Sequence, residues 1–145
     1  MPKQAVRPTR TQAVIPTLRC RDARATIDFL VEAFGATRHL VVAGDGDRAV
    51  VHAQVELAPG AQIMLGSSGG EVPELDRSAG NASVYVIVDD EELSARFERA
   101  RKAGARVLRE LRREEYGGSG FSVADSEGNI WSFGSYDPYA PEIAE

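Results

Sequence analysis

The sequence contains few of the residue types that form disulfides or bind transition metals. Its 145 residues include one cysteine, two histidines and one tryptophan. The single cysteine, Cys20, excludes an intramolecular disulfide, and we predict a buried, inert thiol. No apolar run approaches the roughly 20 residues that a membrane helix needs. The basic and polar residues 1–12 lack the apolar core of a secretory signal. We therefore expect a cytoplasmic protein with a flexible N-terminal segment over 1–12.

An excess of basic charge is also missing. Lysine and arginine number 17 against 22 aspartates and glutamates, which gives a formal net charge of -5. Duplex nucleic acids are bound mainly by basic side chains that replace counterions along the phosphates. The arginines between 106 and 113 are interspersed with Glu110 and followed by Glu114 and Glu115, a pattern typical of a solvated mixed surface. We predict no nucleic-acid partner.

What the chain does contain is an internal repeat within the length of a single domain. In the first half, an alternating stretch at 14–20 leads into Asp22 and a helical pattern that ends at Gly35. In the second, residues 83–88 lead into Asp89 and Asp90 and a helical pattern that ends at Gly104. The aspartates are candidate N-caps, and both glycines suit the left-handed residue that closes a helix.

Strand patterns separated by turn residues follow each helix. The sequence therefore predicts an α+β fold in which two βαβββ modules form a curved mixed sheet around a concave cup. One domain would span 13–145, with module one at 13–66, a linker at 67–81, module two at 82–136 and a C-terminal tail at 137–145. The predicted strands after the helices are 38–42, 49–57, 62–65, 106–111, 121–124 and 130–134.

Alternation along the strands assigns side chains to the helices or to the cup. The apolar set Val51, Ala53, Val55 and Leu57 would face a helix, as would Trp131 and Phe133. The side chains predicted to face the cup are Ile15, Thr17, His52, Gln54, Glu56, Gln62, Met64, Ser83, Tyr85, Ile87, Ile130, Ser132 and Gly134. This mixture of apolar and neutral polar groups is typical of small-molecule sites.

Several short motifs occur in a characteristic order. They are Arg21-Asp22 before a helix ending Ala33-Phe34-Gly35-Ala36, then Tyr85-Val86-Ile87-Val88-Asp89-Asp90, Ala103-Gly104-Ala105, and Asp125-Ser126-Glu127-Gly128-Asn129-Ile130-Trp131. Over residues 14–136 the chain resembles the vicinal oxygen chelate superfamily of glyoxalases, bleomycin-resistance proteins and extradiol dioxygenases. The resemblance implies two paired βαβββ modules and, often, a homodimer.

Enzymes of that superfamily commonly hold a divalent metal through inward His and Glu side chains, one from each of four strands. By the resemblance, those positions fall here on Ile15, Met64, Ser83 and Ser132, which lack the donors that such an ion needs. His52 and Glu56 are four residues apart on one strand, which separates them by about 13 Å at roughly 3.3 Å per residue. This distance is too long for both side chains to bind one metal ion. We therefore expect no metal site and no cofactor, with a divalent metal as the alternative.

These expectations favour a metal-independent protein of the bleomycin-resistance type that sequesters a planar or amphipathic ligand. The alternative is a glyoxalase- or dioxygenase-like enzyme, a lyase, isomerase or oxygenase, with an atypical metal site or with His52 as general base. A structural or regulatory module is a third possibility. The predicted partners are a small molecule and a second copy of the chain, without a membrane. The predicted ligand contacts are His52, Gln54, Met64, Ser83, Tyr85, Tyr116 and Ser132, with Tyr116 next to a Gly-rich loop at 117–120 that could act as a lid.

Overall fold

The computed structural model describes residues 10–140, and its first module consists of one helix and a four-stranded sheet. Strand order in this sheet is β1-β4-β3-β2, with β1 parallel to β4 and the other pairs antiparallel. The elements are β1 (Thr17–Cys20), α1 (Ala23–Phe34), β2 (Thr37–Ala43), β3 (Val50–Ala58) and β4 (Ala61–Ser67).

The second module repeats this arrangement, with the strand order β5-β8-β7-β6 and β5 parallel to β8. The predicted α+β fold of two βαβββ modules is therefore confirmed. A short helix lies in the segment that was predicted to be a linker. The elements are α2 (Pro73–Asp76), β5 (Ser83–Ile87), a 3₁₀ turn (Asp90–Glu92), α3 (Leu93–Lys102), β6 (Arg106–Arg113), β7 (Ser119–Ala124) and β8 (Ile130–Gly134). No helix within residues 10–140 is long and apolar enough to span a membrane.

Helix α1 begins and ends as the sequence predicts. The Asp22 carboxylate accepts a hydrogen bond from the Ala25 N–H at 3.1 Å, and Gly35 adopts a left-handed conformation with φ 71°. A guanidinium hydrogen bond from Arg48 holds the pKa of Asp22 below its usual value, and the Ala25 N–H adds to this effect. Local side-chain chemistry thus fixes both ends of this helix.

Helix α3 begins differently, and the predicted cap at Asp89 or Asp90 is wrong. The 3₁₀ turn comes between these aspartates and the helix, whose N-cap, Glu92, makes no side-chain capping bond. The Asp89 carbonyl accepts from the Glu92 N–H, while the Asp90 carboxylate accepts from the Ser135 hydroxyl. A backbone turn therefore starts α3, and Asp90 is used for a contact distant in sequence.

One hydrophobic core joins the modules. The Phe34 ring, at the end of α1, lies 5.6 Å from the Trp131 ring and 4.7 Å from the Phe133 ring of β8. Phe133 also stacks on Phe121 of β7 at 5.1 Å. Trp131, Phe121 and Phe133 are at most 2% exposed. Aromatic packing across the module boundary is therefore a main apolar contribution to the fold.

Strand alternation holds along β3 except at its start. Ala53, Val55 and Leu57 are buried as predicted, but Val51 is 62% exposed and Val50 is 1% exposed. The register between β2 and β3 shifts at this point, which turns Val50 rather than Val51 toward the core. The prediction for Val51 is wrong because a bulge adds one residue to the alternation.

A carboxylate from module two caps the first helix of module one. Glu127, in the turn between β7 and β8, accepts from the N–H groups of Arg21 at 2.7 Å and Asp22 at 2.8 Å, and from the Thr26 hydroxyl at 3.2 Å. Its side chain is only 6% exposed. Negative charge is stabilised at a helix N-terminus, so this contact ties the modules together.

Asp125 gives the Glu127 turn its shape. One carboxylate oxygen accepts from three consecutive backbone N–H groups, those of residues 127–129. The other accepts from the Asn129 side chain and from the Trp131 indole N–H. With five donors, this carboxylate is fully hydrogen-bonded within the protein and anchors the turn to the core.

Replacing Glu127 by alanine should destabilise the protein, because three donors at the start of α1 would lose their acceptor. We expect a loss of about 1–3 kcal/mol in the free energy of unfolding, measured by urea denaturation. Exposed Glu115→Ala is the matched control and should change stability little. Equal stability of Glu127→Ala and the unmodified protein would contradict the capping role.

Cys20 should be protected from thiol reagents in the folded protein. It is fully buried, and this burial raises the pKa of its thiol to about 11. Since the thiolate is the reactive form, an aromatic disulfide reagent at pH 8 should label Cys20 only after urea unfolding. Labelling of the native chain at the rate of a free cysteine would show that the thiol is accessible.

Candidate ligand-binding site

The concave face of module one carries a row of polar side chains on β3 and β4. His52 Nε2 lies 3.0 Å from Gln54 Oε1, and Gln54 Nε2 donates to Gln62 Oε1 at 3.5 Å. Met64 is paired with Gln54 in the sheet register. All four side chains belong to half-buried residues. The structure therefore brings together the predicted residues His52, Gln54 and Met64.

Two further ionisable side chains, His39 and Glu56, lie toward the edge of this face. His39, on edge strand β2, places Nε2 3.6 Å from Glu56 Oε2. His52 does not join them, since its ring contacts Gln54 instead. Among residues 10–140, no group of three His, Cys, Asp or Glu side chains is placed to share a metal ion.

The four positions at which the resemblance would place a metal do not fit a divalent ion. Ile15 precedes β1, Met64 lies on β4 and Ser83 begins β5. Ser132, on β8, has its hydroxyl 2.7 Å from that of Ser122. A hydrocarbon, a thioether and two neutral hydroxyls supply no anionic or imidazole donor, so this donor set is unsuited to such an ion.

On the concave face of module two, two paired glycines form a surface without side chains, which we call the glycine floor. Gly120 of β7 pairs with Gly134 of β8 in the sheet register. A Cβ at Gly134 would lie 2.5 Å from the Tyr85 hydroxyl oxygen, so this ring lies directly over the glycine. The Tyr85 hydroxyl donates to the Tyr136 carbonyl at 2.8 Å. The absence of a side chain at Gly134 is therefore what admits Tyr85.

Tyr116 and Tyr136 adjoin Tyr85, and we refer to these three residues as the tyrosine face. The ring of Tyr116 packs edge-on against that of Tyr136, with 5.1 Å between centroids. The Tyr85 hydroxyl is hydrogen-bonded to the Tyr136 backbone carbonyl. Partial burial raises the pKa of Tyr85, and proximity to Tyr116 raises it further. The Tyr85 phenol therefore remains neutral at physiological pH. All three residues are exposed enough to meet a ligand, between 42% and 56%.

Glu114 is a residue of this face that the sequence did not reveal. Its side chain is only 6% exposed and forms an ion pair with Arg109, with the Arg112 Nε 3.9 Å from the same oxygen. That oxygen would lie 3.7 Å from a Cβ at Gly120, so the carboxylate lies above the glycine floor beside Tyr85. The prediction of a merely solvated mixed surface is wrong for Glu114, because its burial depends on a glycine in the neighbouring strand.

The predicted contacts form two groups on different sheets. His52, Gln54 and Met64 lie on module one, whereas Tyr85, Tyr116, Ser83 and Ser132 lie on module two. Within residues 10–140, no hydrogen bond joins the two polar faces; the bonds between modules involve the Glu127 turn and the ends of the helices.

The faces meet at one cavity of about 430 Å³ beside the turn between β3 and β4. Gln62 from module one and Tyr85 from module two both line it. A second cavity of about 520 Å³ adjoins the same turn and is lined by Glu56, Asp89 and Arg96. The module seam is thus open at this end, next to the tyrosine face.

The fit of Tyr85 over Gly134 can be tested with a double-mutant cycle. Gly134→Ala should destabilise the protein, since the new methyl group would collide with the phenol. In a Tyr85→Ala background the same substitution should cost much less. Urea denaturation of the four proteins measures this coupling. An equal cost in both backgrounds would mean that Tyr85 does not lie over Gly134.

Comparison with protein families gives a match over most of the chain. The family described as the Glyoxalase/Bleomycin resistance protein/Dioxygenase superfamily matches residues 12–133. An uncharacterised protein of Mycobacterium bovis is 33% identical over an alignment of 129 positions, and the match covers 84% of this chain and 82% of that protein.

Solved structures share the fold. TioX from Micromonospora sp. ML1 superimposes with a TM-score of 0.66 and 26% identity, over 85% of this chain and 94% of TioX. The fosfomycin resistance protein FosX from Listeria monocytogenes, solved with Mn(II) and a sulfate ion, gives a TM-score of 0.65 at 16% identity, over 88% and 92% of the two chains. The latter similarity concerns the fold alone.

Proposed function

The chain belongs to the Glyoxalase/Bleomycin resistance protein/Dioxygenase superfamily, and we propose that it is a metal-independent protein of the bleomycin-resistance type that sequesters a small molecule. The observation that carries this proposal is the tyrosine face of module two, formed by Tyr85, Tyr116 and Tyr136 above the glycine floor. We propose a planar or amphipathic ligand, because tyrosine rings offer both stacking surfaces and hydroxyl groups.

The donor set supports metal independence. At the four strand positions used by related metal enzymes, this chain has Ile15, Met64, Ser83 and Ser132. FosX of Listeria monocytogenes has been solved with Mn(II), so the shared fold is compatible with a metal. The residues of the present chain instead favour binding by stacking and neutral hydrogen bonds.

Module one would complete the ligand environment. Its row of His52, Gln54 and Gln62 is partly internally hydrogen-bonded and half-buried, which leaves polar groups at the surface for a ligand. The rival function, an enzyme in which His52 acts as general base, uses the same row. His52 is its candidate catalytic residue because an imidazole nitrogen can accept a proton from a bound substrate.

Thermal denaturation of chelator-treated protein with a panel of planar aromatic compounds tests the proposal. A ligand that binds only the native state raises the melting temperature. We expect saturable stabilisation by at least one class of compound, with each compound recovered unchanged. Conversion of a bound compound, or stabilisation that appears only after adding a divalent metal, would contradict the proposal and favour the enzyme.

Alanine variants of two tyrosines test whether the ligand binds at the tyrosine face. Tyr116→Ala removes one exposed ring of the tyrosine face and should weaken binding about tenfold, in line with the loss of one aromatic contact. Tyr139→Ala is the matched control, because Tyr139 is 91% exposed and lies outside the three-ring cluster. Equal affinity of both variants would exclude the tyrosine face as the site.

We further propose that the protein is cytoplasmic and that two chains pair, as the resemblance implies for the pairing. Edge strand β2 carries the exposed apolar side chains Leu40 and Val42, which a second copy would cover while the tyrosine face stays open. Sedimentation equilibrium should give twice the chain mass of 15.6 kDa. A monomer at all concentrations up to tens of micromolar would contradict pairing.

A further inference from the structure

We propose that the ligand is a planar aromatic acid whose anionic oxygens bind Arg109 and Arg112. This inference rests on the proposed function and names the ligand class. Arg109 pairs with Ser122 in the sheet register, and Arg112 pairs with Gly120 after a register shift between the two arginines. Since paired residues point to the same side of a sheet, both arginines belong to the concave face that carries the tyrosines.

The two arginines share a single carboxylate. Both approach the same oxygen of Glu114, and one carboxylate balances the charge of one guanidinium. Glu110 lies on the same strand, but within residues 10–140 it forms no ion pair with either arginine. The concave face of β6 is therefore left with an excess positive charge, although the whole chain has a formal net charge of -5.

Asp137 is the other carboxylate near Tyr85, and within residues 10–140 it forms no ion pair with Arg109 or Arg112. It accepts a hydrogen bond from the Tyr139 N–H at 2.8 Å. Together with Arg113, it lines a separate cavity formed around Asp89 and Asp90. Glu114 is therefore the carboxylate that is paired with Arg109 and Arg112.

Glu114 does not cover the two guanidinium groups completely. The Arg109 side chain is 39% exposed and the Arg112 side chain is 58% exposed, while the Arg109 Nε is buried without a hydrogen-bond partner within residues 10–140. A planar guanidinium with accessible N–H groups matches the oxygens of a carboxylate, sulfonate or phosphonate.

The neighbouring rings indicate what carries the anionic group. Glu114 and Tyr85 lie above paired glycines, so the arginine pair adjoins the tyrosine face. A ligand that reaches both must combine a flat apolar body with an oxyanion at one end. This description fits an aromatic acid and does not fit an aromatic amine, which the two arginines would repel.

Three probes of similar shape, one anionic, one neutral and one cationic, test the inference. Calorimetric titration of the full chain uses 2-naphthoate, 2-naphthalenemethanol and 2-naphthylmethylamine. We expect 2-naphthoate to bind about tenfold more tightly than the neutral alcohol, as one charged hydrogen bond provides, and the amine to bind most weakly. The difference in affinity between 2-naphthoate and the alcohol should become smaller as salt is added.

Charge variants give a sharper result. Arg109→Gln and Arg112→Gln should each remove most of the advantage of 2-naphthoate while leaving affinity for the alcohol unchanged. Glu114→Gln should raise the affinity for 2-naphthoate severalfold, because it uncovers both arginines. A purely structural Glu114 would produce no such gain. Arg113→Gln, on the same strand, is the matched control and should bind like the unmodified chain.

The outcomes separate this inference from the proposed function. Equal binding of the acid and the alcohol, or tighter binding of the amine, would overturn the aromatic acid and leave sequestration intact. Failure of all three probes would overturn the tyrosine face itself. If Arg109→Gln fails to fold, the affinity of Glu114→Gln for 2-naphthoate still tests the arginine site. No increase in that affinity would contradict the proposal.

Discussion

The hydrogen bonds of the Glu127 carboxylate are the interaction on which the arrangement of the two modules depends. They connect the turn between β7 and β8 to the first residues of α1, more than 100 positions earlier in the chain. Asp125 fixes that turn and simultaneously binds the indole of Trp131. One acidic turn thereby couples the capping of α1 to the aromatic core, and the core in turn supports the sheets that carry the polar faces.

Signals that act within a few residues could be predicted from the sequence. Asp22 and Gly35 mark the ends of α1, and alternating apolar residues mark the strands, because capping and strand periodicity are local properties. The failures have long-range causes. Val51 is exposed because a bulge shifts the register with β2, and α3 starts from a backbone turn while Asp90 contacts Ser135.

The candidate site shows the same division. Alternation assigned Tyr85, Ser132, His52 and Gln54 to the concave faces, while the roles of all the predicted contacts remain predictions. Glu114 could not be found in this way, because it lies beyond the end of β6 and is buried above a glycine of β7. The pairing of Gly120 with Gly134 creates the space for both Glu114 and Tyr85, and no local pattern reveals this pairing.

Binding at the tyrosine face without a metal is the central claim, and the tyrosine ring resonances test it most directly. The chain has four tyrosines, so ring-labelled, chelator-treated protein gives a spectrum simple enough to assign. On titration with 2-naphthoate, the account predicts saturable shifts at Tyr85, Tyr116 and Tyr136 and little change at Tyr139. Shifts that require added divalent metal, or no shift at the three clustered tyrosines, would contradict it.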